Sequence, residues 1–407
     1  MQRSLFSLVL LIISLFGDVF GSPIHQESDA YSDPLCPGSI KNLWLDVVVV
    51  VDRSILMTNA QLWQVRNTVT TVFGEVKNIG PVIPPADPRS TCVGMVTYTE
   101  NATVTAQLDA AHSFSELYHI AQGSLVAVDS TNTSLLSTGL LAAQKVLKEG
   151  RSRTLRYNYR QVIIAFAAAY QEVAGPNDAM TVADTLKDNE VIIIAVACTK
   201  DTYQKEAIFK LASPGMAFVD EMNTDKLAKQ ITTALTSANC FCPENWAQLT
   251  DDIFNSTATK KGVCLRGFKE TGGSWGYQQV IEHCARQEKN GYLVDEFSQS
   301  KHEYVKWYMK RTFPNVSPLE YYIGLRFLNG AWVWEQPVGR HRIPLAGYMA
   351  WAPGYPKADS TGQVIVNRPL ADGDMQFVWA TPESTASLFV CQVQSSSTEH
   401  YTEWIFE

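Results

Sequence analysis

The chain has no surplus of positive charge. Its 33 Lys and Arg stand against 41 Asp and Glu, a formal net charge of -8 over 407 residues. Nucleic acid and anionic membranes are bound by clustered cations, so this balance speaks against both as partners. There is no His-Glu-x-x-His and no phosphate loop. Histidines are few, seven in all, and scattered. The zinc-hydrolase and phosphoryl-transfer signatures are therefore missing, and catalysis is not expected. Beyond the first twenty residues no run approaches the roughly 18 apolar residues that a membrane helix needs, so no transmembrane segment is expected.

What is present begins with that first segment. "MQRS" carries one positive charge, "LFSLVLLIISLF" is too short to span a bilayer, and "VFG" sets small residues for cleavage after Gly21. Residues 1–21 read as a signal peptide, and the mature protein is expected to be secreted and extracellular. The tail "EHYTEWIFE" is short and charged, which speaks against a lipid-anchor signal. An even eight cysteines then suggest disulfides. Asn101, Asn132, Asn255 and Asn315 each lead an N-x-S/T triplet on the same route.

Residues 22–43 are polar with scattered Pro and Gly and read as a leader or linker. From Leu45 the pattern alternates strand and helix. "LDVVVVVD" is a continuous apolar run of a strand buried on both faces. "NAQLWQVRNTVTTVFGEV" is a helix with Asn59 as N-cap. "CVGMVTY", "ATVTAQL", "QVIIAFA", "VIIIAVA" and "MAFVD" are strands, and "LLSTGLLAAQKVLKEG" is a helix ending at Gly150. This alternation over 44–238 predicts a Rossmann-like, mainly parallel α/β sheet with helices on both faces and its ligand edge at the strand C-termini. Asp52 and Ser54 fall on that edge, where they serve either a metal site or a cap on the following loop and helix. Near residue 239 the grammar changes. Cysteines, tryptophans and irregular loops rise, and 240–393 reads as a separate α+β domain. Two helices, short strands and a long Pro/Gly-rich stretch at roughly 337–374 make up this domain, with a tail at 394–407. The chain is multi-domain.

"DVVVVVDRS", "CVGMVTY", "STNTSLLSTGLLAAQ" and "QVIIAFAAAY", in that order, resemble a von Willebrand factor A domain. The resemblance implies a metal site built from an Asp-x-Ser-x-Ser run, a Thr and a distant Asp. Asp52 and Ser54 match the first two positions, but Leu56 stands at the third. Ala167 stands where the distant carboxylate is needed. Thr131 or Thr133 supplies the threonine. Any ion kept here would be held by Asp52, Ser54 and Thr131. The losses make a cap the preferred reading, with no magnesium expected.

"CPENW", "SWGYQQVIEHC", "YYIGL", "WVW", "WAPGYP", "FVW" and "LFVC" resemble a C-type lectin domain. The family pattern implies Cys284–Cys391 and Cys242–Cys264 disulfides. The calcium triplets read Tyr355-Pro356-Lys357 and Trp379-Ala380-Thr381, and a lysine ammonium repels a cation, so no calcium is expected. Asp372 and Asp374 nearby read as a turn. Tyr348, Tyr355, Lys357, Arg340 and Arg342 in the long loop are the candidates for ligand binding, with Trp351 read as core. Cys36 and Cys240 both fall at the N-terminal strand edge and make a sensible pair. Cys92 competes at that edge, while Cys198 reads as buried and free. The double architecture is similar to a family of secreted nematode C-type lectin proteins. That resemblance implies recognition of a glycan or protein ligand on microbial or host surfaces, in innate defence. The alternative is a structural or matrix protein-interaction role with no sugar read. Oligomeric state is not legible.

Overall fold

In a computed structural model of the protein, residues 31–401 are described except 37, 83–86, 173, 271–274, 289, 358–362, 372–374 and 383–385. The expected signal peptide, most of the leader, the end of the tail, and Asp372 and Asp374 lie outside the described residues. Among the described residues no helix is long and apolar enough to cross a membrane.

The first sheet forms from β1 (Leu45–Asp52), β2 (Cys92–Tyr98), β3 (Ala102–Ala106), β4 (Arg160–Ala167), β5 (Ile192–Ala197) and β6 (Ala217–Val219). The order is β3-β2-β1-β4-β5-β6, parallel except for the β2–β3 hairpin. Val47, Val49 and Val51 enter one core and Val48 and Val50 the other. That is why the strand shows no polar alternation. Helices α1 (Asn59–Gly74), α2 (Phe114–Ser124), α3 (Leu136–Thr154), α4 (Ala179–Asp188), α5 (Thr202–Leu211) and α6 (Thr224–Ala238) cover the faces. Buried residues of α1, α2 and α6 share one core, and those of α3, α4 and α5 the other.

Three local readings need correction. The N-cap of α1 is Thr58, not Asn59. Thr58 Oγ1 accepts from Gln61 N at 3.1 Å and Gln61 Oε1 accepts from Thr58 N at 2.9 Å, a capping box. Asn59 instead accepts from Val128 N at 2.9 Å. Helix α3 does not stop at Gly150 but runs on to Thr154. Gly150 is there for closeness, because a Cβ at that position would stand 2.8 Å from Leu108 Cβ. Helix α2 is not signalled by the sequence, since only Leu117 and Ala121 on it are buried.

The second sheet uses β7 (Ala247–Thr250), β8 (Lys260–Lys269), β9 (Tyr292–Leu293), β10 (Tyr321–Leu328), β11 (Ala331–Trp334), β12 (Ile343–Pro344), β13 (Val364–Pro369), β14 (Phe377–Ala380) and β15 (Leu388–Gln394), with α7 (Tyr277–Arg286) and α8 (Gln299–Thr312). Its pairs are antiparallel apart from β10–β15. The stretch read as an irregular loop holds β12 and β13, which pair with β11 and with β10 and β14. Cys242–Cys264, Cys284–Cys391 and Cys36–Cys240 are disulfides, and Cys92 and Cys198 are free and buried. Burial pushes the Cys92 thiol up to about 12 and Cys198 well above the usual range, so neither is a reactive thiol.

The two halves share a seam at the N-terminal edge of the first sheet. Leu35 bridges to Lys261, and Gly262 N donates to Pro34 O at 2.6 Å. The ammonium of Lys301, on α8 and almost wholly buried, takes Asp33 at 2.6 Å and Asp295. From the other end of the chain Ser396 bridges to Phe241, and Trp44 Nε1 donates to Ser397 O at 2.8 Å. Trp44 lies 5.5 Å from Tyr159, 5.2 Å from Phe241 and 4.8 Å from Tyr401, ring centre to ring centre. The leader and the tail thus each cross to the opposite half.

Candidate functional site

At the C-terminal edge of the first sheet, β1 and β4 are neighbours whose outgoing loops diverge. Ligands collect at such a point in α/β sheets. Asp52 closes β1 there and is fully buried. Its Oδ1 accepts from Ser54 N at 2.8 Å. Its Oδ2 accepts from Ser134 Oγ at 2.7 Å and from Ala168 N at 3.3 Å. Ser54 Oγ in turn accepts from Leu56 N at 3.3 Å. Asp52 and Ser54 therefore tie the loop after β1, while Thr58 caps the helix.

The hydroxyl that reaches Asp52 from the second loop is Ser134. Thr131 is turned away, and its N and Oγ1 both donate to Asp129 Oδ1, at 3.0 and 2.8 Å. Glu172 and its neighbour Gln171 close over this edge. Gln171 Oε1 accepts from Ser134 N at 2.8 Å, and Glu172 Oε1 accepts from Ser137 N at 3.0 Å. Helix α3 has no side-chain cap of its own, so the Glu172 carboxylate supplies the negative end that its N-terminus favours. Magnesium wants a near-octahedral shell of oxygens. Here one carboxylate is already filled by three donors, and Leu56 and Ala167 bring no side-chain oxygen. The residues present do not fit that ion. Among the described residues no three His, Cys, Asp or Glu gather as a metal group.

In the second half the loop residues separate into three places. Tyr355 is half-buried, because its hydroxyl meets Thr381 Oγ1 at 3.0 Å and its ring packs on Ala352 and Val378. The Lys357 ammonium stands 5.1 Å from the centre of that ring. A cation is already in place where the resemblance puts calcium, and neither triplet offers a carboxylate, so this site does not fit calcium either. Arg342 Nε donates to Glu335 Oε2 at 2.9 Å, and Arg326 faces the same carboxylate at 2.5 Å. Arg340 is exposed.

Tyr348 lines an open cavity of about 550 Å³ between α8 and the long loop. Its other walls include Trp351, Gln299, Glu303, Lys306 and Gln376. Trp351 is half-buried, 4.9 Å from Trp332 and 5.6 Å from Trp379, so it packs on the core and faces the cavity as well.

Beneath this cavity lies a buried polar cluster that the sequence did not disclose. Glu296 Oε2 meets His302 Nδ1 at 2.7 Å and accepts from Trp379 Nε1 at 2.6 Å. Its Oε1 accepts from Asn367 Nδ2 at 3.0 Å. Burial alone would lower the His302 pKa, but the Glu296 carboxylate overcomes it and holds His302 above its ordinary value. The one available signal was the acidic pair "DE" at 295–296 inside an apolar stretch.

The expectation that the chain has no Gly-x-Ser-x-Gly pattern is wrong at the level of letters, because Gly272 to Gly276 spell it. Gly272, Gly273 and Ser274 of it lie outside the described residues. All four sequon residues, Asn101, Asn132, Asn255 and Asn315, are exposed.

Residues 46–234 match the family model of the von Willebrand factor type A domain. The chain is 25% identical over 379 residues to C-type lectin domain-containing protein 160 of Caenorhabditis elegans, covering 90% of this chain and 56% of that protein. It thus spans little more than half the length of that relative. Among solved structures, proximal thread matrix protein 1 from the mussel byssus aligns at 16% identity over 49% of this chain and 47% of its own, with a TM-score of 0.37. The C-type lectin CEL-I from Cucumaria echinata aligns at 18% identity over 37% of this chain and 96% of its own, with a TM-score of 0.27. Residues 46–234 thus carry the match to the von Willebrand factor type A domain, and the chain as a whole is similar to a C-type lectin domain-containing protein.

Proposed function

We propose that this is a secreted recognition and adhesion protein that binds a glycan or protein ligand on microbial or host surfaces, in innate defence, with no metal ion required in either domain. The cavity beside Tyr348 carries the recognition reading. An aromatic wall offers a stacking face for a sugar ring, while Gln299, Glu303, Lys306 and Gln376 offer donors and acceptors around it. The metal-free part rests on the Asp52 carboxylate, whose oxygens are taken by Ser54, Ser134 and Ala168.

Binding of the full chain to bacterial cells and isolated glycans, with and without EDTA, tests both parts. Binding should survive EDTA, yield to free sugar and drop about tenfold in Tyr348→Ala, the scale of a lost aromatic contact. Loss of binding in EDTA would sink the metal-free reading. Binding to cells that no sugar displaces would move the ligand to a protein.

A further inference from the structure

The seam between the halves holds a second, larger cavity, of about 750 Å³. That is the size of a small-molecule site, typically about 300–1,000 Å³. Its floor is apolar. Ile192 and Phe218 come from β5 and β6, Met216 from the residue just before β6, and Phe241 from the link into the second half. Its rim is cationic. Arg160, Lys187, Lys226 and Lys229 come from the first half, and Lys260 at the start of β8 comes from the second. No Asp or Glu is among the described residues that line it.

On a chain of net charge -8 this clustering runs against the overall balance. Three of the cations do have acidic neighbours. Arg160 pairs with Glu190, Lys187 with Asp184 and Lys226 with Glu221. Those carboxylates are 76, 61 and 56% exposed, so the pairs face water and are weak. Lys229 and Lys260 make no ion pair among the described residues. Lys260 is half-buried beside another cation. Burial first and Arg160 second hold its ammonium below the usual lysine range. Like charges gathered over an apolar floor are relieved by a bound anion.

We propose that this cleft binds an anionic amphiphile, a ligand with one carboxylate-type head for Lys229, Lys260 and Arg160 and an unbranched apolar body for the floor. A purely polar polyanion would leave the half-buried Ile192 and Phe218 uncovered. An uncharged lipid would leave the cations unanswered. Because the lining comes from both halves, a bound ligand bridges them.

Isothermal titration of the full chain with decanoate tests this, set beside decanol and dextran sulfate. Decanoate should bind as a single equivalent, more weakly as salt rises. Decanol should bind about tenfold less tightly, and Lys229→Gln with Lys260→Gln should lose about tenfold for decanoate, the worth of a charge-assisted contact. Thermal unfolding of that variant checks that it is folded. Equal affinity for decanol, or decanoate binding unchanged in the folded double variant, would overturn the proposal. So would dextran sulfate binding as tightly as decanoate and losing as much in the same double variant, which would mark a plain polyanion patch.

Discussion

Asp46 and Asp52 bracket the same strand and meet the same problem, a fully buried carboxylate, in two ways. Asp46 takes a guanidinium, with Arg156 Nε at 2.7 Å. Arg156 is held in turn by Ser90 Oγ and O, both at 2.8 Å. Asp52 takes only uncharged donors. Glu296 adds a third solution, with the ring of His302 against it and Trp379 and Asn367 donating. This pair predicts a pH dependence. His302 has a folded pKa raised above 6.5, so its contribution to stability is fully present below about pH 6.5 and is lost as pH rises through the raised value. The stability gap between the parent and His302→Gln should be widest in acid and narrow in base, read by thermal unfolding with tryptophan fluorescence. A gap that does not change with pH would mean the ring is neutral throughout. At this scale the sequence yielded Asp52 and Ser54 readily, because a carboxylate ending a run of valines is conspicuous. It misled on Thr131, since three hydroxyl residues stand within four positions (131–134) and loop geometry alone chooses Ser134. Asn367 lies 71 residues from Glu296, and no local pattern links them.

Among the elements, α3 lies close against its sheet. A Cβ at Gly139 would stand 2.7 Å from Val50 Cγ1 and 2.9 Å from Tyr98 Cδ1. Gly139→Ala gains about 1 kcal/mol of helix propensity and loses about 1–3 kcal/mol to overpacking, so a net loss is expected in the urea midpoint. A variant more stable than the parent would show that Val50 and Tyr98 yield at little cost. The strands of the first sheet were legible because burial on both faces leaves unbroken apolar runs. Helix α2 was not, because two buried positions make no stripe. The second sheet was legible only in part. Its β13 reads "VIVNRP" inside a Pro/Gly-rich stretch, and only its partners β10 and β14 reveal it as a strand.

At the scale of the whole molecule, the seam is the feature that sequence reading could not supply. The Cys36–Cys240 pair was in view, but the seam also joins Asp33 to Lys301 and Trp44 to Tyr401, and pairings so distant leave no periodic trace. Cys36→Ser with Cys240→Ser should cost about 2–4 kcal/mol, the usual worth of a cross-link. Calorimetry should show it as an unfolding transition that separates into two. A single transition at the parent midpoint would mean that the aromatic cluster and the Lys301 pair hold the halves alone.

The same seam sets a timetable for synthesis. Cys36 emerges 204 residues ahead of Cys240, a wait of roughly 10–40 s at about 5–20 residues per second. Cys92 appears within that interval as a rival partner. The whole first domain, through α6 at Ala238, is made just before Cys240 arrives. Its folding shuts Cys92 away from solvent, so the order in which the chain is made can itself choose the disulfide.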